Sequence, residues 1–221
     1  LTGAMDEGFY RNKLTGYTKT AFDSLQAKYA GRLMNHSADS LFRHRIELIP
    51  NCGHSIDYSL TTPWLKNYKR NPYPHTFMWE DYPMDGQRRQ GFYNLYVMKR
   101  PKAADGLKDA SGEDRDYYEM DIQDNVIRLS VKKVTYQTLE RDPVYGIDLK
   151  FTKSYHPVIG GKWKIYLNDQ LVDMNRPVTV FINDRKVFEG KIVPRMEDMI
   201  TSCMEYFDPC RVFPASVDVA L

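Results

Sequence analysis

The sequence predicts an α/β segment followed by a mainly antiparallel, β-sandwich-like domain. Three observations support this prediction. A helical pattern and one short strand occupy the first third of the chain, and many short apolar runs separated by turn residues occupy the rest. Aromatic residues make up 13% of the 221 residues, and such rings pack well on a pleated sheet. We therefore assign residues 1–72 to the α/β segment and residues 73–221 to the β domain.

The first segment contains one clear amphipathic pattern. Apolar residues recur at spacings of three and four at Ala21, Phe22, Leu25 and Tyr29. This spacing puts them on one face of a helix over residues 17–29, and Gly31 suits its C-terminal cap. The run from Arg45 to Ile49 then predicts a short strand that ends at the turn residues beginning with Pro50.

The second segment has the pattern of short strands joined by turns. The predicted strands are Thr76–Glu80, Phe92–Lys99, Asn125–Thr135, Gly146–Phe151, Lys162–Leu167, Val178–Ile182, Lys186–Val193 and Val212–Leu221. Two dipeptides, Asp85-Gly86 and Asn183-Asp184, have the composition of hairpin turns. A helix over Met196–Tyr206 interrupts the strands, and residues 101–116 have the composition of an exposed loop.

Composition and charge exclude several classes of function. The net charge of +2 gives no electrostatic footprint for nucleic acid, and no apolar run reaches the length of a membrane span. The three cysteines, Cys52, Cys203 and Cys210, have no zinc-ligand spacing. We expect three isolated thiols, with a bond between Cys203 and Cys210 as the alternative. We expect neither a metal ion nor a cofactor.

Two short motifs carry chemistry. The first is Gly3-x-x-Asp6, followed by the predicted helix, and the second is a strand that leads into Gly53-His54. A serine hydroxyl needs a basic imidazole within hydrogen-bond reach, and the imidazole needs a carboxylate that orients it. This order resembles the last part of the α/β-hydrolase fold, whose triad residues follow one another as nucleophile, acid and histidine. The resemblance implies that Asp6 is the triad acid and His54 the triad histidine.

The resemblance extends along most of the chain. The stretches Gly53–Tyr58, Thr61–Leu65 and Arg70–Pro74 are similar to the histidine loop and exit of bacterial prolyl-oligopeptidase-like or esterase-like hydrolases. The stretch from Tyr166 to Asn183 resembles the β domain that follows the catalytic domain in those proteins. The resemblance as a whole implies an exported bacterial enzyme that acts on an ester or peptide bond.

The nucleophile motif of that family, Gly-x-Ser-x-Gly, is missing from the sequence. Its nearest match is Gly53-His54-Ser55-Ile56-Asp57, where Asp57 replaces a glycine that the strained turn requires. We therefore expect the serine to lie upstream of Leu1 and this chain alone to be inactive. The expected partners are the missing N-terminal part of the hydrolase domain or a second copy of the chain, because the helix face would otherwise stay uncovered.

Each assignment has an alternative. Asp6 also suits a helix cap, with Glu7 as the fallback acid, and His54 also suits an ordinary loop position. Cys52 suits a small packed residue better than a nucleophile. Aromatic residues that suit either core packing or a sugar-stacking platform are Trp64, Trp79, Tyr93, Tyr96, Tyr117 and Tyr118. The alternative function is accordingly a non-catalytic β module that binds carbohydrate or protein and retains a hydrolase remnant.

Overall fold

A computed structural model of the chain describes residues 2–4, 15–30, 47–49, 59–83, 86–107, 115–144 and 146–221. The chain forms two compact units. The first comprises residues 1–70 and 138–152, and the second comprises residues 71–137 and 153–221. The division predicted from the sequence has one boundary, after residue 72, and leaves residues 138–152 with the β domain.

The first unit contains short strands and helices. Its elements in the N-terminal part are β1 (Thr2–Ala4), α1 (Thr15–Ala30), β2 (Glu47–Ile49) and α2 (Thr61–Leu65). The helix predicted over residues 17–29 is confirmed as α1, and the strand predicted over residues 45–49 is confirmed in its described part as β2. The far end of β8 (Val126–Arg141) and the start of β9 (Asp148–His156) also belong to this unit.

The second unit is built on two sheets. A mixed sheet has the strand order β13-β12-β8-β7-β3, with β9 also paired to β8, and an antiparallel sheet has the order β14-β11-β5-β4. The remaining bounds are β3 Thr76–Asp81, β4 Gly91–Phe92, β5 Leu95–Lys99, β6 Lys102–Ala103, β7 Arg115–Gln123, β10 Val158–Ile159, β11 Lys162–Leu167, β12 Val178–Ile182, β13 Arg185–Gly190, α3 Met196–Tyr206 and β14 Ala215–Ala220. The described part of the chain is therefore mainly β, with few helices.

Alternating burial along the strands of the second unit produces one hydrophobic core. On β8 the inward residues Ile127, Leu129 and Val131 are buried, and the intervening positions face away from the core. Strands of both sheets contribute to the same cluster, including Trp163 on β11 and Val217 on β14. The period-two pattern in the sequence thus selects the buried face of each strand.

Most predicted strands of the second unit are confirmed, but their pairing is only partly foreseen. The turn at Asn183-Asp184 joins β12 to β13, and both residues have the positive φ of a tight hairpin turn. The hairpin expected around Asp85-Gly86 is wrong, because β3 pairs with β7 whereas β5 pairs with β4 and β11 in the other sheet. The chain changes sheets between these strands, and dipeptide composition cannot show such a change.

Candidate functional site

The strands β1 and β2 of the first unit run side by side in the same direction. The paired residues of β1 and β2 are Thr2 with Glu47, Gly3 with Leu48, and Ala4 with Ile49. Because α1 lies between these parallel strands in the chain, the three elements form a βαβ unit. The strands are in register, so Ala4 and Ile49 end them at the same edge, about 4.8 Å apart.

The predicted acid and histidine follow these two strand ends in the sequence. Asp6 is the second residue after Ala4, and His54 is the fifth residue after Ile49. Both lie outside the described residues, as do the alternatives Glu7, Cys52 and Ser55. The acid–histidine pair therefore stays a prediction, and the described geometry is that of the strands that precede it.

The described side chains of α1 are not buried. Leu25 is 37% exposed and Ala21 is also exposed, whereas Phe22 is half-buried. In a βαβ unit the apolar face of the helix normally covers the sheet. Within the part of α1 whose side chains are described, the face predicted from the spacing is therefore at least partly open.

The second unit contains a chain of a hydroxyl, an imidazole and a carboxylate. His156 Nδ1 lies 2.9 Å from Asp105 Oδ2, and His156 Nε2 lies 2.9 Å from Thr135 Oγ1. A triad carboxylate is buried, which lets it stabilise an imidazolium, but Asp105 is 42% exposed. The backbone N–H of Leu107 and the His156 ring lower the pKa of the Asp105 carboxyl. We therefore interpret these three side chains as a structural hydrogen-bond network between neighbouring strands, in which both imidazole nitrogens already have a hydrogen-bond partner.

A buried ionic cluster lies where β3, β7 and β8 meet. The carboxylates of Asp81 and Asp116 are fully buried and share the guanidinium of Arg100. Lys133 Nζ lies 2.7 Å from Asp116 Oδ1, and Arg88 Nη1 lies 3.8 Å from Asp81 Oδ2. Because each of the two carboxylates faces at least two cations, the cluster has the pairing expected of a structural network.

Within the second unit, the aromatic residues considered for a sugar-stacking platform do not form one surface. Trp79 and Tyr118 are buried, and their rings stack on each other with centroids 5.1 Å apart. Tyr93 and Tyr96 pack against the same core. Tyr117 faces away from the core and meets Tyr155 edge-on at 5.4 Å. Core packing, the simpler of the two expectations, therefore accounts for most of the set.

The outward face of β8 carries polar residues that we did not single out from the sequence. Arg128, Ser130 and Lys132 alternate there with the buried residues of the strand. The signal that predicts this face is the alternation itself, since residues two apart on a strand share a side.

Within the described residues, Cys203 and Cys210 are free thiols, as expected.

Comparisons with protein-family models, with curated proteins and with solved structures find no match to this chain. Among the described helices, none combines the length and the apolar character needed to cross a membrane.

Proposed function

We propose that this chain is the acid- and histidine-bearing part of a serine hydrolase of the α/β-hydrolase type. Its substrate would contain an ester or a peptide bond. The first unit would contribute the last two strands of the hydrolase sheet, and the second unit would be the sandwich-like domain appended to it.

One observation carries this proposal, the parallel and in-register pairing of β1 with β2. Loops that leave the same edge of a sheet project side chains into a shared space. An extended chain spans at most about 3.6 Å per residue, so the two residues that lead from β1 to Asp6 can span at most about 7 Å, and the five that lead from β2 to His54 at most about 18 Å. These lengths are upper limits, and strand ends about 4.8 Å apart allow the carboxylate and the imidazole to come within reach of each other.

The two residues would share the work of acid–base catalysis. The Asp6 carboxylate would accept a hydrogen bond from His54 and hold the imidazole in one tautomer. His54 would take the proton of a serine hydroxyl as the serine attacks the carbonyl carbon, and would then donate it to the leaving group. The serine would come from a part of the hydrolase domain outside this sequence, because no Gly-x-Ser-x-Gly motif occurs within it.

The sheet itself also supports an additional partner. In the part of the chain that the structure describes, β1 and β2 pair only with each other. Parallel strands occur in larger sheets that are covered on both faces, and a two-stranded sheet is marginal alone. We propose that the rest of the hydrolase domain supplies the neighbouring strands and the surface that covers α1.

The test is fluorophosphonate labelling of the protein expressed from its complete coding sequence. The probe reacts with an activated serine, so His54→Ala should lower the labelling rate by at least about 10³-fold, and Asp6→Asn by about 10³–10⁴-fold. Matched controls are His44→Ala and Glu7→Gln, which replace a nearby histidine and the adjacent carboxylate. Both control proteins should be labelled at the wild-type rate.

The outcome that contradicts the proposal is equally specific. Labelling that survives His54→Ala, or a complete coding sequence without a reactive serine, would show that the motifs belong to a remnant. If Glu7→Gln rather than Asp6→Asn abolishes labelling, the acid is the neighbouring residue and the hydrolase mechanism stands. Turnover of p-nitrophenyl esters against peptide p-nitroanilides then separates an esterase from a peptidase.

A further inference from the structure

A polar stripe runs along the outward face of the mixed sheet in the second unit. Arg128, Ser130 and Lys132 occupy alternate positions of β8 on the side opposite the core. Alternate residues on a strand are about 7 Å apart, so the stripe extends about 13 Å from the guanidinium-bearing residue to the lysine. Both cations are exposed to solvent, and the serine is half-buried between them.

Aromatic rings flank both ends of this stripe. Phe181 on β12 is the register partner of Arg128, and the guanidinium carbon lies 4.7 Å from the centre of its ring. Tyr155 on β9 lies at the other end, where its ring centre is 5.6 Å from Lys132 Nζ. The stripe and the two rings line one groove of about 430 Å³, a volume within the range of small-ligand pockets.

The cationic side chains that line this groove outnumber its acidic side chains. Among the described residues, no carboxylate lies within 4 Å of either Arg128 or Lys132, and each cation instead rests on an aromatic face. The acidic residue that lines the groove is Asp184, in the turn after β12. His156 also lines the groove, but both of its ring nitrogens are already engaged by Asp105 and Thr135. The groove therefore presents two cations and one anion.

One wall of the groove is fixed by backbone hydrogen bonds. Asn183 adopts a left-handed conformation, with φ of 47°, and its side chain bonds both the N–H and the C=O of Val131, at 2.8 and 3.0 Å. Its own N–H donates to the carbonyl of Leu129 at 3.0 Å. The turn that carries Asp184 is thus tied to β8, and a groove that is already formed loses little free energy in ordering when a ligand binds.

We infer that this groove binds an acidic saccharide, a short chain of sugar rings that carry carboxylates. The rings of Tyr155 and Phe181 suit the apolar C–H faces of sugars. A guanidinium can bind a carboxylate through two parallel hydrogen bonds, and the ammonium group can serve a second carboxylate farther along the chain. Ser130 and Asp184 also line the groove and can accept hydrogen bonds from hydroxyl groups of the saccharide. The inference is independent of the hydrolase proposal, because it uses only residues of the second unit.

The test is calorimetric titration of the whole chain with hexagalacturonate. A matched neutral ligand is cellohexaose, and a matched non-saccharide anion is hexaglutamate. We expect binding of the hexagalacturonate alone, and at least about tenfold weaker binding for each of Arg128→Gln, Lys132→Gln and Tyr155→Ala. The control Lys99→Gln removes an exposed strand lysine of the other sheet and should bind like the wild type. Melting curves of all variants establish that they are folded.

Each alternative outcome overturns the inference. Equal binding of hexaglutamate would mean that the groove attracts anions without recognising sugar. Equal binding of cellohexaose that survives Arg128→Gln would mean that the cations play no part. A lack of any binding to the folded wild-type chain would mean that the stripe is only a solvated sheet face. None of these outcomes bears on the hydrolase proposal, since His54→Ala should leave the titration unchanged.

Discussion

At the scale of single residues, Asn183 shows how one side chain can fix a turn. Its amide bonds both backbone groups of Val131, as a further residue of the strand would. We expect Asn183→Gly to lower the free energy of unfolding by about 1–3 kcal/mol, because glycine keeps the positive φ but leaves these backbone groups without their partner. Asn183→Ala should cost still more, because alanine is strained in this conformation.

The control for this position is its neighbour in the same turn. Asp184 also has a positive φ, of 65°, but its side chain is exposed. We expect Asp184→Gly to change stability by less than about 0.5 kcal/mol in either direction. Urea denaturation measures both variants. Equal stability of Asn183→Gly and the wild type would mean that the amide bonds contribute nothing.

Glu80 links the stability of the second unit to pH. Its carboxylate accepts hydrogen bonds from Lys153, at 2.6 Å, from Arg115, at 3.2 Å, and from the Tyr136 hydroxyl. Burial alone would raise the pKa of Glu80, but the hydrogen bonds from Lys153 and Tyr136 outweigh burial and lower it below the ordinary value of 4.5. A lowered pKa in the folded state contributes stability above the unfolded pKa, and this contribution is lost as pH falls through the folded pKa.

Glu80→Gln should therefore be less stable than the wild type at neutral pH, and the difference should shrink as pH falls below about 4.5. The measurement is urea denaturation of both proteins at a series of pH values between about 7 and 3. Glu189→Gln is the control, because Glu189 also has a lowered pKa next to Lys186 but lies on the surface. A constant difference between Glu80→Gln and the wild type across this range would contradict the assignment.

At the scale of elements, a buried polar contact holds α3 against the rest of the second unit. Ser202 Oγ accepts a hydrogen bond from the backbone N–H of Phe213 at 2.9 Å and donates to the carbonyl of Asp198 at 2.7 Å. We expect Ser202→Ala to lower the free energy of unfolding by about 1–3 kcal/mol, because the N–H of Phe213 would stay buried without an acceptor.

The adjacent residue provides the matched control for α3. Thr201 makes the same type of bond to a carbonyl four residues earlier, that of Glu197, but on the more exposed side of the helix. Thr201→Ala should be neutral or slightly stabilising, because alanine favours the helix and water can replace the bond. Denaturation midpoints compare the two variants. Equal loss in both would show that burial of the Ser202 contact is irrelevant.

The comparison between sequence and structure is also clearest for elements. The spacing of Ala21 and Leu25 suffices to predict α1, and the alternation in Val178–Ile182 suffices to predict β12, because periodicity reports local geometry. The strand β7 was not predicted, since its outward residues, including Glu119 and Asp121, hide the buried alternation of Tyr118 and Met120. Strand pairing depends on residues far apart in the chain, and short patterns contain no information about it.

The same limit applies to the candidate sites. The motifs around Asp6 and His54 can be found because each lies in a short stretch of sequence, the first before a predicted helix and the second after a predicted strand. The groove on the mixed sheet brings together Arg128, Tyr155 and Phe181 from three strands. No local pattern relates these positions, so the groove becomes visible only once the strand order is known.

At the scale of the whole molecule, the first unit exposes apolar side chains in several of its described segments. In the described residues, β1 and β2 form a sheet of only two strands, and Leu25 of α1 is exposed. Residues 138–152 of this unit also expose large apolar side chains, among them Leu139 at 64% and Val144 at 79%. Exposed apolar surface of this kind favours association.

We therefore expect the isolated chain to associate in sedimentation experiments, with an average mass that rises with concentration. Leu25→Glu should shift this association to higher concentration, because it places a charge on the apolar face of α1 that a partner would have to bury. Val193→Glu is the control, since Val193 is also apolar and even more exposed, at 68%, but belongs to the second unit. Addition of the rest of the proposed hydrolase domain should replace self-association by a defined complex, if that domain covers the same surface. A chain that sediments as a monomer at high concentration would mean that the exposed apolar surface of the first unit does not drive association. The proposed role of a partner for its sheet would then fail.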